Sequence, residues 1–100
     1  MGRRETAERQ GRLELELMEE RAAALLRISQ TLESLIEQLQ ALRGRIGDLH
    51  WSSQSPELAE YRELRRRAVK YRWYLEVQRE ALGLRQHHRL DEFYRIPDAL

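Results

Sequence analysis

An antiparallel two-helix coiled-coil hairpin, all α and dimerising into a four-helix bundle, is the architecture expected from these 100 residues. Three observations lead there. The first half carries an unbroken heptad run, Ser55-Pro56-Glu57 reads as a helix start, and a second heptad run follows in phase with the first. Composition agrees. Charged residues make up 35% and hydrophobic residues 41%, with only two prolines and five glycines. Heavy use of Glu, Leu, Arg, Ala and Gln suits long helices better than a mixed compact fold.

The first helix rests on Leu25, Ile28, Leu32, Leu35, Leu39, Leu42, Ile46 and Leu49, which alternate steps of three and four. That spacing keeps one seam of a helix facing a partner. Before Leu25 the phase weakens at Arg21, and Leu13, Leu15 and Leu17 alternate as a strand would. Their Glu, Met and Arg neighbours favour helix. The helix is expected over about 8–49.

Gly44 and Gly47 weaken the helix near its end, and residues of about 50–55 form the turn. His50 and Trp51 sit there, with Trp51 expected to pack over the hairpin end. Ser55 offers an N-cap oxygen, Pro56 a preset first helical position, and Glu57 an acid in the first turn.

The second helix, over about 56–86 or beyond, carries Tyr61, Leu64, Ala68, Tyr71, Leu75, Gln78 and Leu82 at three-four spacing. A short connection favours an antiparallel neighbour. Positions whose numbers add to about 106 or 107 then face each other, and every facing pair is apolar except Gln78 with Ile28. At the open end this pairing brings Glu14, Glu16, Glu19 and Glu20 near Arg85, His87, His88 and Arg89. Gly83 is a candidate stop for the second helix. The tail, about 90–100, is apolar again and ends in a segment broken by Pro97. Phe93, Tyr94 and Ile96 are expected either to pack on their own bundle near Leu13, Leu15 or Leu17, or to dock a further protein. The whole chain reads as one helical-hairpin domain.

A second apolar stripe on the second helix, Val69, Trp73, Val77, Ala81 and Leu84, is displaced from the first seam. Ala22, Leu26 and Ile36 lie outside the seam of the first helix. A helix with two apolar faces needs neighbours on both. Self-association through Val69, Trp73, Val77 and Leu84 is the expectation, giving a homodimer with Trp73 near its centre, and a tail that folds back over part of the stripe is the alternative.

Chemistry has little foothold. There is no cysteine, hence no disulfide, thiolate metal site or Cys nucleophile. No nucleophile elbow, phosphate loop or HExxH motif is present. His87, His88, Asp91 and Glu92 are the one set with a suggestion of metal-ligand spacing, and adjacent histidines diverge on a helix. No enzyme, cofactor or metal is expected. The basic segment Arg62, Arg65, Arg66, Arg67, Lys70 and Arg72 is the sharpest anomaly. Arg62, Arg65, Arg66 and Lys70 share a side, which makes nucleic acid or an acidic protein the second candidate partner. A solvated face partly paired with Glu33 and Glu37 is the simpler expectation, and the net charge of +1 adds nothing for a polyanion. No stretch is long and apolar enough for a membrane span, and the cytoplasm is the expected compartment. The sequence therefore reads as a small homodimeric adaptor, a non-catalytic interaction or oligomerisation module.

Overall fold

A computed structural model describes residues 2–47 and 55–100. It is a helical hairpin with a returning tail: α1 (Gly2–Gly47), α2 (Pro56–Ala81) and the short α3 (Leu90–Phe93). Among the described residues there is no strand. The expected turn, with Leu49, His50 and Trp51, lies outside them.

Two arginines show that the helices are antiparallel. Near the turn Arg43 donates to the Tyr61 hydroxyl at 3.2 Å, and at the open end Arg21 donates to the Ala81 carbonyl at 3.3 Å. Between them lies the core: Leu32, Leu35, Leu39, Leu42 and Ile46 from α1, with Tyr61, Leu64, Ala68 and Leu75 from α2. These are the heptad positions, buried because three-four spacing presents them on one side of each helix. Gln78 is only half-buried, at the wetter end of the same seam.

The start of α2 follows the local chemistry of its sequence. Ser55 is extended (φ −66°, ψ 139°), its side chain accepts from the Leu58 amide at 3.2 Å, and Pro56 opens the helix. The end of α2 comes earlier than the expected 86. Gly83 takes φ 84°, so the chain reverses there. The Gly83 amide donates to the Glu80 carbonyl and the Leu84 amide to the Arg79 carbonyl, both at 2.9 Å. This pair of bonds is the Schellman arrangement, in which a left-handed glycine satisfies carbonyls the helix leaves open. The side chains of the same turn then hold the reversed chain. Arg79 donates to the Gln86 carbonyl at 2.8 Å and to His87 Nδ1 at 3.4 Å, and His87 Nε2 meets Glu80 at 3.1 Å.

Beyond α3 the tail runs along one groove of the hairpin towards the turn. Leu90 is buried, and Tyr94, Ile96 and Leu100 pack against the core. Leu90 and Tyr94 border a shallow cavity with Ala22, Leu25, Ser29 and Leu75. Further on, the tail carbonyls are gripped by side chains of both helices. Arg65 Nε donates to the Pro97 carbonyl at 3.0 Å, and Arg62 Nε donates to the Leu100 main-chain oxygen at 3.2 Å. The Asp98 carbonyl accepts twice, from the Tyr61 hydroxyl at 2.7 Å and from Arg43 at 3.0 Å. Polar groups of an extended segment must find partners when it is packed down, and here arginines supply them.

The groove corrects one expectation. The tail does pack on its own hairpin, but from Ala22, Leu25 and Leu75 towards the turn and not near Leu13, Leu15 or Leu17, which stay exposed. Ile36, outside the α1–α2 seam as its spacing implies, is buried. It lies on one helical stripe with Ser29, which borders the Tyr94 cavity, and Arg43, which binds Asp98. Residues seven apart on a helix share a face, so Ile36 faces the tail.

Because α2 is short, α1 overhangs it. α1 begins at Gly2, earlier than expected, and every described residue from Gly2 to Glu20 is exposed. Twenty-six residues in α2 against forty-six in α1 leave an unpaired arm of about 30 Å at 1.5 Å per residue. The expected charge pairing at the open end is therefore not formed. Glu14, Glu16, Glu19 and Glu20 project past the place where α2 has already turned back. The molecule measures 76 × 24 × 16 Å with a radius of gyration of 19.8 Å, against about 13 Å for a compact domain of this length.

Candidate interaction surface

The second apolar stripe is open. Val69, Trp73 and Val77 follow at four-residue steps on the side of α2 turned away from α1. Leu84, expected on the same stripe, is exposed but lies past the Gly83 reversal, where the helical register that aligned it has ended. Trp73 is 59% exposed, a large fraction for the residue type with most apolar surface to hide. Ala81 on the same stripe is also exposed. The end of the tail reaches only the edge of this face: Ala99 and Leu100 border a shallow cavity with Arg62, Arg65, Arg66 and Val69.

Trp73 is held in place by its neighbours. Its ring lies 5.5 Å from that of Tyr74, tilted by 51°, and Tyr74 meets Tyr71 edge-on at the same centroid distance. Lys70 Nζ sits 5.8 Å from the Tyr74 ring centre. Such contacts restrain an aromatic side chain before any partner arrives, which lowers the entropic cost of using it.

The basic segment is spread over several tasks. Arg62 and Arg65 grip the tail, as described. Arg66 pairs with Glu63 at 2.7 Å, and the hydrogen bond to that carboxylate, together with its charge, raises the Arg66 pKa further. Arg72 bridges Glu76 at 2.7 Å and Asp91 at 3.0 Å, tying α2 to α3, while its buried Nε has no partner among the described residues. The expected cross-hairpin pairing with Glu33 and Glu37 is not seen among the described residues. Both acids are exposed on α1, and the arginines find closer acceptors within α2 and the tail.

The histidine cluster does not converge. His87 is taken up by Arg79 and Glu80, His88 is exposed, and Asp91 holds Arg72. Among the described residues no group of three His, Asp or Glu side chains has the geometry to hold a metal ion. No described helix is long and apolar enough to cross a membrane.

The tail-binding set, Tyr61, Arg43, Arg62 and Arg65, was not foreseen from residue spacing. One signal was available in principle: Arg43 and Ile36 are spaced seven apart, beside the seam. Taken together, fold and surface define a helical hairpin braced by its own tail and bearing an open apolar face on α2. No family model, no curated protein and no solved structure matches this chain.

Proposed function

We propose that this chain is a non-catalytic interaction module that pairs with a second copy of itself through Val69, Trp73, Val77 and Leu84, two hairpins making a four-helix bundle. The observation that carries this reading is the exposure of Trp73 at the centre of an apolar face that the tail leaves uncovered. Surface area supports it. The chain exposes 7987 Å², whereas a compact protein of its 12.0 kDa mass exposes about 6,000 Å². The excess of about 2,000 Å² is more than the roughly 800 Å² each partner gives to a standard interface.

Sedimentation equilibrium tests the proposal. The unmodified chain is expected to form at least a dimer, and Trp73→Ala to weaken association through this face by about thirtyfold or more, the effect of losing an aromatic residue from the centre of an interface. Helicity measured alongside keeps folding separate from association. A chain that sediments as a monomer at tens of micromolar refutes the proposal.

Phe93, 73% exposed on α3, is the part of the tail left for a further protein partner, since Tyr94 and Ile96 are packed inward. The nucleic-acid reading of Arg62, Arg65, Arg66 and Lys70 has less support, because the first three already serve the tail or Glu63. Binding to mixed-sequence duplexes that strengthens steeply as salt falls would favour it.

A further inference from the structure

The overhanging arm of α1 and the turns that follow it carry an organised face. Ala7, Gly11, Leu15 and Met18 on the arm, then Ala22 and Leu26 beside the hairpin, where they border the cavity at Leu90 and Tyr94, succeed one another at steps of four, four, three, four and four, and all six are exposed. Steps of this kind have an eleven-residue period, close enough to the helical repeat for the stripe to run nearly straight along the arm. It lies about 100° around the helix from the seam that packs on α2. A helix standing alone over about 20 residues is marginal in water, so this face calls for a neighbour.

The order of residues says which neighbour. Reversed end for end, the stripe matches itself in size. Leu26 falls opposite Ala7, Ala22 opposite Gly11, and Met18 opposite Leu15, so a bulky residue never meets an equally bulky one except at the centre. The pseudo-symmetry point lies between Glu16 and Leu17. Charges beside the stripe obey the same reversal. One flank carries Arg12 and Glu19, the other Glu14 and Arg21. When two antiparallel helices are related by a two-fold axis, like flanks meet. Arg12 of one copy then lies beside Glu19 of the other, and Glu14 beside Arg21, which in the hairpin makes a single long bond to Ala81. Symmetry doubles each pair.

We infer that the α1 arms of two copies pair antiparallel along residues 7–26, centred between Glu16 and Leu17. This contact is separate from the Trp73 face, being on the other helix, and either can fail without the other. The surplus area of the chain, about 2,000 Å², has room for two faces of roughly 800 Å² per partner. With both faces occupied the assembly exceeds a dimer.

The native chain has no cysteine, so single introduced cysteines report the register directly. A Cβ built on Gly11 meets nothing within 4 Å, and Ala22 is exposed, so both positions accept the change. In the inferred register Gly11→Cys faces Ala22→Cys of another copy. Two Gly11→Cys chains hold their sulfurs about 16 Å apart along the axis, beyond the roughly 7 Å Cα limit of a disulfide. The mixture of the two variants is expected to cross-link on mild oxidation, and either variant alone is not. The experiment is run in a Trp73→Asp background, so that the α2 face contributes nothing. Charge exchange gives a second reading in the same background. Arg12→Glu should weaken arm pairing about tenfold, as should Glu19→Arg, and the double variant should restore it. Cross-linking of Gly11→Cys with itself overturns the antiparallel register. Absence of the mixed cross-link, with no concentration-dependent association in the Trp73→Asp chain, overturns the pairing and leaves the arm to a different protein. Failure of the double variant to recover overturns the assigned charge contacts.

Discussion

Replacing Tyr61 by Phe isolates one hydroxyl at the junction of both helices and the tail. The Tyr61 side chain is fully buried, so the Phe ring fills the same space and no cavity opens. What disappears is a donor to the Asp98 carbonyl at 2.7 Å and an acceptor for Arg43 at 3.2 Å. Neither partner is orphaned, because Arg43 still donates to Asp98 directly at 3.0 Å. The cost is therefore that of one net hydrogen bond, about 1 kcal/mol, and not the larger penalty of stranding a buried polar group. For a chain of this length that lowers the melting temperature by about 4–8 °C. Thermal melting followed by circular dichroism measures it, and limited tryptic proteolysis shows where the loss falls: cleavage after the exposed Arg95 should speed up while the α1–α2 seam changes less. An unchanged melting temperature together with unchanged tail protection refutes the claim that Tyr61 holds the tail down.

Other variants test other parts of the structure. Leu39→Ala empties a fully buried position in the middle of the seam and should cost about 2–5 kcal/mol in denaturant titration. Gly83→Ala meets no steric obstacle, since nothing lies within 4 Å of the added Cβ, but holds φ at 84°; the expected loss, about 1 kcal/mol, is purely conformational, and a neutral result in the same titration would count against the Gly83 reversal. Ser55→Ala removes the oxygen that accepts from the Leu58 amide and should cost about 1 kcal/mol, read as a lower denaturation midpoint.

The hairpin was legible because its signals are periodic and local. Residues such as Leu32, Leu39 and Ala68 recur at helical spacing, and Ser55-Pro56 states a helix start in two residues. Gly83 was legible as a possible stop but not as a certain one. Its effect depends on Arg79 and Glu80 finding His87 and Gln86 after the reversal, a contact set up only by the reversal itself. The tail groove was not legible. Its grip is between side chains and main-chain carbonyls, and a carbonyl is the same at every position, so no residue pattern announces it. Ile36 was legible as lying outside the seam, but its covering neighbour was not, being an extended segment with no period to match. The open stripe of α2 was visible from Val69, Trp73 and Val77 because an apolar residue every four positions means the same whether or not a partner is present.

The groove that receives residues 94–100 also imposes an order on folding. α2 supplies Tyr61, Arg62 and Arg65, while the second donor to Asp98, Arg43, and the buried Ile36 come from α1, so only the two helices together offer the full set. The tail cannot gain that set until the hairpin has closed, and on unfolding it can leave while the seam stays intact. Refolding should accordingly show resistance to cleavage after Arg95 appearing no earlier than α1–α2 amide protection, and native-state proteolysis should show the tail opening at lower free energy than the core. Residues 94–100 then act as a clasp, locking a hairpin that has already formed.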